Sequence, residues 1–394
     1  MEIPERMNSS VVLTLLTQTS SMVTVEPLSN NSTNEDFVSD TAAIIMSVFL
    51  NIIAVIGIVG NSVVVLAVLF SRKLRTATNV FVIALSITDL LVCLTLPFQT
   101  VALISTDGWP LDDWLCAAIG GITSICFGAS VLLLVLIAVN RFCVITRPRK
   151  SCQRFYKVRN LALMVSAAYL YPFVMFAILP ISGIGQLGYS KSYRICAWDE
   201  DHSNGEVNDY VVALTFGLSF VIIIVCYVRI YRFVRDHHKK MLARRGQQDG
   251  NEIPVENDFT SFDNTDTQPT TPSYLSTSAN VNIKVNEPRR PTGMKTAVNR
   301  REVEITKNLF VVICSFFLCL APYCVSLALP KGGPFSIFTG LPLMSNACIN
   351  PIIYSFKHPL FKVVIRCLLC CRYSDIPKPS PTLKKLLKLT NKTN

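Results

Sequence analysis

Seven long apolar blocks, separated by short charged gaps, constrain the fold of this chain more than any other feature. One block, 76–106, contains a single charged residue, Asp89. A helix needs about 20 residues to cross the roughly 30 Å apolar core of a bilayer. The sequence therefore predicts an all-α membrane protein, a seven-transmembrane-helix bundle. The blocks with no Asp, Glu, Lys or Arg are 41–71, 114–140, 160–190, 210–228, 308–330 and 332–356.

The charges in the gaps predict the orientation of the bundle. The net charge of +11 is compatible with nucleic acid or with an anionic membrane. With the N-terminus outside, the outer segments carry four Lys and Arg against 14 Asp and Glu, and the inner ones 33 against 11. Lys and Arg concentrate on the cytoplasmic side of membrane proteins. We therefore expect a multi-pass plasma-membrane protein with a cytoplasmic C-terminus, membrane lipid as a partner, and no nucleic acid.

Residues 1–40 are polar, and we expect them to form a mobile extracellular N-terminus. Asn8, Asn30 and Asn31 begin glycosylation sequons, which predict a glycoprotein. The membrane domain is predicted over 41–358.

The longest gap, 229–307, has two different parts. Its middle, about 246–292, is rich in Asn, Asp, Thr, Ser and Pro and predicts a disordered third intracellular loop. Its basic flanks, Val228–Arg245 and Thr296–Lys307, are expected to extend the fifth and sixth helices into the cytosol.

The last segment, 359–394, is predicted to be an amphipathic helix followed by a cytoplasmic tail. Pro359–Arg372 alternates apolar with basic residues in the manner of an eighth helix on the inner membrane surface. The tail beyond it is rich in Pro and Lys.

The chain has fourteen cysteines, and most of them are expected to pack as small apolar residues inside the spans. The others give two predictions. Cys116 and Cys196 are the two at outer positions, where the environment is oxidising, so we expect a disulfide between them. Cys367, Cys370 and Cys371 end the amphipathic helix, where palmitoylation is favoured over unmodified thiols. Zinc is disfavoured because the Cys-x-x-Cys pair has no second pair.

Asp89 is the first candidate site residue, because an acid in mid-membrane is costly and usually functional. A bound cation such as sodium, held by hard oxygen ligands, is one interpretation. A hydrogen-bonded packing network with Asp89 sometimes protonated is the other. The polar residues expected near it are Asn61, Ser130, Asn346 and Asn350.

Arg141, at the inner end of the third span, is the second candidate. It is either a snorkelling cation or the partner of Glu302 on the sixth span, in an ion pair that holds the resting state. Pro322 and Pro351 lie inside the sixth and seventh spans, and each allows a helix kink.

Over roughly residues 42–372 the chain resembles a rhodopsin-like (class A) G-protein-coupled receptor. Within that family it looks like receptors of the melatonin, Moody and "trapped in endoderm" types. The motifs are Gly60-Asn61, Leu85-Ser86-x-x-Asp89-Leu90, Cys116 with Arg141 twenty-five residues on, Phe216, Tyr227, Phe316, Pro322 and Asn350-Pro351-x-x-Tyr354.

The resemblance implies an orphan receptor whose extracellular ligand drives nucleotide exchange on a heterotrimeric G protein, with the inhibitory class as the candidate. Arrestin and a receptor kinase are further expected partners. It implies no cofactor other than an allosteric sodium ion at Asp89, Ser130, Asn346 and Asn350. The implied coupling residues are Asn140, Arg141, Phe142, Tyr227, Glu302, Pro322, Asn350, Pro351 and Tyr354. The implied ligand-binding residues are Thr123, Phe127, Tyr323, Gly340 and Met344.

Four positions depart from the family pattern. The usual inner-triplet Asp is Asn140, the usual sixth-span Trp is Leu320, and the usual fifth-span Pro is Ser219. The fourth span has no Trp. These departures leave the standard trigger in doubt and allow ligand-independent activity. Thr123 argues against an amine ligand and Met344 against retinal.

Three rival classes remain to be weighed. A transporter predicts repeats or several intramembrane charges, whereas the spans hold one acid and no repeat. An enzyme is not expected, because the four His residues all lie outside the spans. A non-signalling or constitutively active adhesion or scavenger receptor is the third alternative.

Overall fold

The computed structural model describes residues 38–191, 193–199, 205–249, 300–328 and 334–393. The three sequons at Asn8, Asn30 and Asn31, and most of the predicted disordered loop, lie outside these ranges.

The described residues form long helices joined by short connections. A short 3-10 turn, Arg72–Leu74, joins the first two helices. The helices are α1 Asp40–Phe70, α2 Ala77–Ile104, α3 Asp113–Thr146, α4 Arg149–Phe155, α5 Val158–Phe173, α6 Leu179–Ile181, α7 Gly205–Asp249, α8 Arg300–Ala328, α9 Pro334–Lys357, α10 Pro359–Leu369 and α11 Pro381–Thr393.

The predicted bundle of seven transmembrane helices with an amphipathic eighth is confirmed. Six helical stretches are long and apolar enough to cross a membrane: α1, α2, α3, α5 with its continuation to Ile181, α7 and α8. Helix α9 packs against α1 and α8 and completes the bundle. Helix α10 follows it, with Phe361, Val364 and Ile365 buried on one side.

The apolar block at 160–190 is not a single helix, and this is a correction to the predicted fourth span. Helix α5 passes into a π-helical turn at Val174–Ile178, and the helical stretch ends at Ile181. Two short strands follow, β1 Gln186–Ser190 and β2 Ile195–Asp199, paired antiparallel. Apolar composition alone cannot separate a strand from the end of a buried helix.

Two glycines before β1 explain why the helical stretch ends and the chain turns. Gly183 and Gly185 adopt φ values of 82° and 75°, in the left-handed region that favours glycine. A Cβ on Gly185 would overlap the Trp198 indole, whereas the space beside Gly183 is open. The turn therefore brings the hairpin back over the outer end of the bundle.

Two cytosolic boundaries also differ from expectation. Helix α7 continues to Asp249, so residues 246–249 of the predicted disordered loop are helical. Helix α10 ends at Leu369, three residues before the predicted end, and Cys371 takes a left-handed φ of 55°. The tail beyond it is ordered into α11, which the Pro- and Lys-rich composition did not indicate.

The contrast between Gly183 and Gly185 gives a test of the hairpin. Gly183→Ala should cost about 1 kcal/mol, the penalty for a left-handed alanine. Gly185→Ala should cost about 3 kcal/mol, since the new methyl group must also displace Trp198. Thermal unfolding of the two purified variants measures the difference, and equal losses would show that Trp198 does not pack there.

Candidate functional site

The outer end of the bundle is covered by the β-hairpin. The predicted disulfide between Cys116 on α3 and Cys196 on β2 is present, with the two Cα atoms 5.1 Å apart. Beside it, a Cβ on Gly120 would come within 3.1 to 3.2 Å of backbone atoms of Cys196 and Ala197. The bridge and this close approach fix β2 directly against α3.

Gln99 on α2 is a second clamp on the hairpin, and sequence reasoning missed it. Its Nε2 donates to the Cys196 carbonyl at 2.7 Å, and its Oε1 accepts from the Cys196 N–H at 3.0 Å. Gln99 and Cys196 are both buried, and β2 has no strand neighbour on the side of Gln99. The Gln99 amide therefore supplies the hydrogen-bond partners that the N–H and carbonyl of Cys196 would otherwise lack. A Gln in an otherwise apolar stretch of span two is the signal that could have indicated it.

Arg194 ties the hairpin to α1. Its Nη1 lies 2.8 Å from Asp40 Oδ1, and its side chain is 7% exposed. The Tyr189 hydroxyl donates to the Ser105 carbonyl at 3.2 Å and so adds a contact to the end of α2. The hairpin is thus held by α1, α2 and α3 together.

Asp89 lies in the middle of the bundle and is 2% exposed. Asn350 Nδ2 on α9 donates to Asp89 Oδ2 at 2.9 Å. Asn61, which was also expected near Asp89, uses its Nδ2 to donate to the carbonyls of Gly57 and Ala347. Asn61 therefore joins α1 to α9 and does not bond to the acid.

Ser130 and Asn346 are buried close to the same level of the bundle. Cys93, one turn from Asp89, packs with Cys126, one turn from Ser130, and with Ala347, which follows Asn346. The Oδ1 atoms of Asn346 and Asn350 are buried, and no partner for them exists among the described residues. A carboxylate, a hydroxyl and two amide oxygens without donors suit a small hard cation.

The inner end of the bundle contains the predicted ion pair. Arg141 Nη1 on α3 lies 3.1 Å from Glu302 Oε2 on α8, and their side chains are 4% and 34% exposed. Among the described residues, Glu302 is the one carboxylate within 4 Å of Arg141. The contact joins the ends, remote from the hairpin, of two helices that both contribute to the main core, with Ile137 on α3 and Leu309 on α8.

Asn140 occupies the position of the usual acid next to Arg141, and it contributes hydrogen bonds but no charge. Its Oδ1 accepts from Arg141 Nη2 at 3.3 Å and from Thr78 Oγ1 on α2 at 2.6 Å. Thr78 is a further residue that sequence reasoning missed. Since an amide offers no charge, Glu302 is left as the principal electrostatic partner of Arg141.

Several polar atoms of Arg141 and of two tyrosines are buried without partners in the described part of the chain. They are Arg141 Nε, the Tyr227 hydroxyl on α7 and the Tyr354 hydroxyl on α9. Tyr227 lies near enough to Arg141 to interact with its charge. A buried unpaired donor costs about 1–3 kcal/mol, so this arrangement favours rearrangement once the ion pair opens.

Two neutral groups of the turn after α3 lie close to Arg141. Burial raises the pKa of Cys152 on α4, and its contact with Cys143 raises it further. Burial likewise raises the pKa of Tyr156 above its ordinary value. Both groups are therefore protonated at neutral pH and leave the charge of Arg141 to Glu302.

The five predicted ligand residues lie in the outer half of the bundle. Thr123 Oγ1 is 3.1 Å from Thr95 Oγ1, and Met344 packs beside Cys93 and Cys126. Gly340 faces open space. The ring centroid of Phe127 lies 5.5 Å from that of Phe216 and 5.7 Å from that of Phe316, so Phe127 belongs to the core stack. Tyr323 is half-buried nearby.

Two cavities, of about 620 and 590 Å³, are lined by none of these five residues. The first lies on the outer surface of α1 and α2, which faces lipid. The second lies between α3, the π-helical turn and the hairpin. Neither of these two cavities therefore marks the predicted ligand site.

The remaining predicted residues lie in α3, α8, α9 and the end of α10. Pro322 lies within α8 and Pro351 within α9, and Pro351 fits against Gly60 so closely that a Cβ there would lie 2.7 Å from its ring. Phe142 is half-buried beside the core. The predicted acylation sites are free thiols, with Cys367 half-buried and Cys370 and Cys371 exposed.

The family description that matches this chain is the seven-transmembrane receptor of the rhodopsin family, over residues 60–354. The moody G-protein coupled receptor of Drosophila pseudoobscura pseudoobscura is 27% identical over 353 residues, 82% of this chain and 51% of that receptor. The melatonin receptor type 1B of Mus musculus is 26% identical over 318 residues, 77% of this chain and 72% of that receptor. The chain spans about half the length of the moody receptors.

Among solved structures, the crystal structure of squid rhodopsin matches with a TM-score of 0.65 at 22% identity. The match covers 88% of this chain and 91% of the rhodopsin chain. At this identity the likeness concerns the fold.

The Gln99 clamp gives a test of the outer site. Gln99→Leu should lower the free energy of unfolding by about 2 kcal/mol, because the N–H and carbonyl of Cys196 lose their partner. Thr100→Val is the matched control, since Thr100 accepts only an exposed hydrogen bond from Asn51 and should cost about 0.5 kcal/mol. Thermal unfolding measures both, and equal losses would refute the clamp.

Proposed function

Because this chain belongs to the rhodopsin family of seven-transmembrane receptors, we propose that it binds an extracellular ligand and promotes nucleotide exchange on a heterotrimeric G protein. The observation that carries the proposal is the ion pair between Arg141 and Glu302 across the cytosolic ends of α3 and α8. The family is one of receptors, which confirms that the chain is not an enzyme.

The ion pair supplies a resting state that can be opened. Arg141 is nearly fully buried, so it needs a partner in every state of the protein. Glu302 is one third exposed and sits at the first turn of α8. An outward movement of α8 would carry Glu302 into solvent at little cost, while Arg141 would stay among α3, α7 and α9.

Two tyrosines supply the second state. The buried hydroxyls of Tyr227 on α7 and Tyr354 on α9 have no partner among the described residues. Tyr227 lies near enough to Arg141 to interact with its charge, and Tyr354 lies close to Tyr227. Movement of α8 lets these hydroxyls accept from the guanidinium, so the charge remains solvated while a cytosolic cleft opens. The cleft is where the G protein would bind.

A chain of aromatic side chains links the outer half of the bundle to α8. Phe127 on α3 stacks on Phe316 on α8, and Phe316 contacts Phe317, which meets Phe220 on α7 at 4.7 Å between centroids. A ligand that shifts Phe127 would push directly on α8 at Phe316, which precedes Pro322 in the same helix. With Leu320 in place of the usual Trp, this stack is the route that we propose for the trigger.

Several finer assignments belong to the same proposal. The G protein is of the inhibitory class, and arrestin and a receptor kinase act on the activated state. The protein lies in the plasma membrane with its N-terminus outside, glycosylated at Asn8, Asn30 or Asn31. Palmitate on the exposed thiols of Cys370 and Cys371, or on Cys367, holds the end of α10 at the membrane.

We further propose that the Asp89 site binds sodium in the resting state. Its support is the set of oxygens that lack donors, on Asn346 and Asn350, beside a buried carboxylate. The ion would neutralise Asp89 and hold α2 to α9, and Ser130 would add a hydroxyl ligand from α3.

The ion pair predicts the direction of two variants in nucleotide exchange measured with a panel of purified Gα subunits. Glu302→Gln should raise ligand-independent exchange several-fold, because the resting state loses its charge pairing. Arg141→Ala should abolish the exchange. Glu304→Gln is the matched control, an exposed acid two residues away, and should leave the rate unchanged.

A different result separates the alternatives. If no Gα subunit responds to the wild-type protein or to Glu302→Gln, the coupling proposal fails and a non-signalling adhesion or scavenger receptor gains support. An equal rise in Glu302→Gln and Glu304→Gln would assign the effect to general charge and refute the ion pair as the lock.

The sodium site predicts a salt-specific stability. Replacing N-methylglucamine chloride by sodium chloride at constant ionic strength should raise the unfolding temperature of the wild-type protein by several degrees. The increase should vanish in Asp89→Asn, which keeps the shape of the side chain but removes the charge. It should persist in Asp113→Asn, a control at the exposed outer end of α3. A sodium response that survives in Asp89→Asn would place the ion elsewhere.

A further inference from the structure

The C-terminal tail docks onto the first cytosolic turn. Ser71 Oγ donates to the Pro377 carbonyl at 2.7 Å, and the Arg72 N–H donates to the Lys378 carbonyl at 2.9 Å. The Ser380 N–H returns a bond to the Phe70 carbonyl at 2.8 Å. We call this contact, between residues 70–72 and 377–380, the tail clasp.

Burial shows that the tail clasp is a packed contact. Ser71 and Ser380 are 0% exposed, and Ile376 and Leu383 are each 2% exposed. The Ser380 hydroxyl also accepts from the Leu383 N–H at 3.2 Å and caps the first turn of α11. Helix α11 therefore begins at a fixed point at the base of α1.

Lys378 supports the same conclusion from the backbone. It lies between two prolines and has a left-handed φ of 50°, which is unfavourable for a residue with a Cβ. Such a conformation persists where surrounding contacts hold it. The carbonyl that Lys378 presents to Arg72 is one of those contacts.

The two sides of α11 differ sharply in chemistry. At about 100° per residue, Lys384, Lys385 and Lys388 fall within one arc of about 100°, and the four leucines fall in the remaining arc. Leu383 is buried against the bundle, whereas Leu386 and Leu389 are 46% and 62% exposed. The helix thus presents an unburied apolar strip beside a row of three exposed lysines.

The surroundings of α11 are also cationic. Arg72, Lys73 and Arg75 are exposed on the first cytosolic turn, which the tail clasp brings next to α11. Residues 357–393 contain one acid, Asp375, and it is paired with Arg372 at 2.6 Å. The surface therefore suits an anionic partner.

We propose that α11 is a second membrane-surface anchor, which binds the acidic phospholipid headgroups of the cytosolic leaflet through Lys384, Lys385 and Lys388. The tail clasp places it where α1 leaves the bilayer, since the exposed Leu66 and Leu69 face lipid on the last turns of α1. Leu386 and Leu389 then enter the interface beside the headgroups. This site is independent of coupling to a G protein.

The apolar strip favours a membrane over an acidic protein segment. An acidic peptide would use the lysines but would leave Leu386 and Leu389 in water. A bilayer interface satisfies both sides of the helix, because such helices bury their apolar side at the acyl boundary and hold cations near the headgroups. Each lysine near an anionic surface contributes about a five-fold change in the binding equilibrium.

Amide hydrogen exchange of the full-length protein in nanodiscs tests the proposal. Phosphatidylcholine nanodiscs with and without phosphatidylserine are compared. We expect phosphatidylserine to slow exchange in residues 381–393 by ten-fold or more, and high salt to reverse the effect. The variant Lys384→Gln/Lys385→Gln/Lys388→Gln should lose this dependence.

The matched control removes three other exposed cytosolic lysines, in Lys157→Gln/Lys239→Gln/Lys240→Gln. It should keep the wild-type response. Ser71→Ala, which removes one hydrogen bond of the tail clasp, should speed exchange in residues 376–380 in both lipids. The unfolding temperature of each variant verifies that the bundle is intact.

Three outcomes would overturn the proposal. Exchange in residues 381–393 that is unaffected by phosphatidylserine removes the lipid site. If the two triple-lysine variants lose the phosphatidylserine dependence equally, the response depends on overall charge and not on the lysines of α11. Protection that arises in phosphatidylcholine nanodiscs only after an acidic peptide is added would identify a protein partner instead.

Discussion

A charged side chain buried in an apolar bundle must be paired or solvated by the protein. This constraint explains the partners of the two buried charged residues of this receptor, Asp89 and Arg141. Asp89 is held by Asn350 in the middle of the bundle, and Arg141 is held by Glu302 at the end remote from the hairpin. Both contacts join helices distant in sequence, and in the described part of the chain buried polar atoms of Asn350 and Arg141 still lack partners. The polar core is therefore stable in one arrangement and has the groups to form another.

Helix α3 connects these sites to the outer surface. Its outer end carries Cys116 and fits against the hairpin at Gly120, its middle carries Phe127, and its inner end carries Arg141. The hairpin, held also by Gln99, keeps the outer end of α3 fixed. Helix α8 meets α3 through the aromatic stack, the main core and the ion pair, and the ion pair is the contact that a change of charge can open.

Much of this could be predicted from the sequence, because a bilayer imposes strong rules on composition. Charge-free blocks indicated the spans, and the outer positions of Cys116 and Cys196 indicated the disulfide. The pairing of Arg141 with Glu302 was a hypothesis that the coordinates confirm. Contacts made through backbone groups were not predictable, because they depend on chain geometry that composition does not encode. They are the bonds of Gln99 to Cys196, the strand after Gly185, and the docking of Pro377–Ser380 on Ser71. The bonds from the Asn61 amide to the carbonyls of Gly57 and Ala347 were likewise not predictable from composition.

The central claim is that the contact between Arg141 and Glu302 holds α8 against α3. The distance between spin labels at Lys157 and Lys307, both exposed near the cytosolic ends of the bundle, measures this directly by pulsed electron resonance in nanodiscs. If this ion pair holds the helices together, the wild-type protein should show one short distance, and Glu302→Gln should show a second, longer population without ligand. Identical distributions in the two proteins would contradict it.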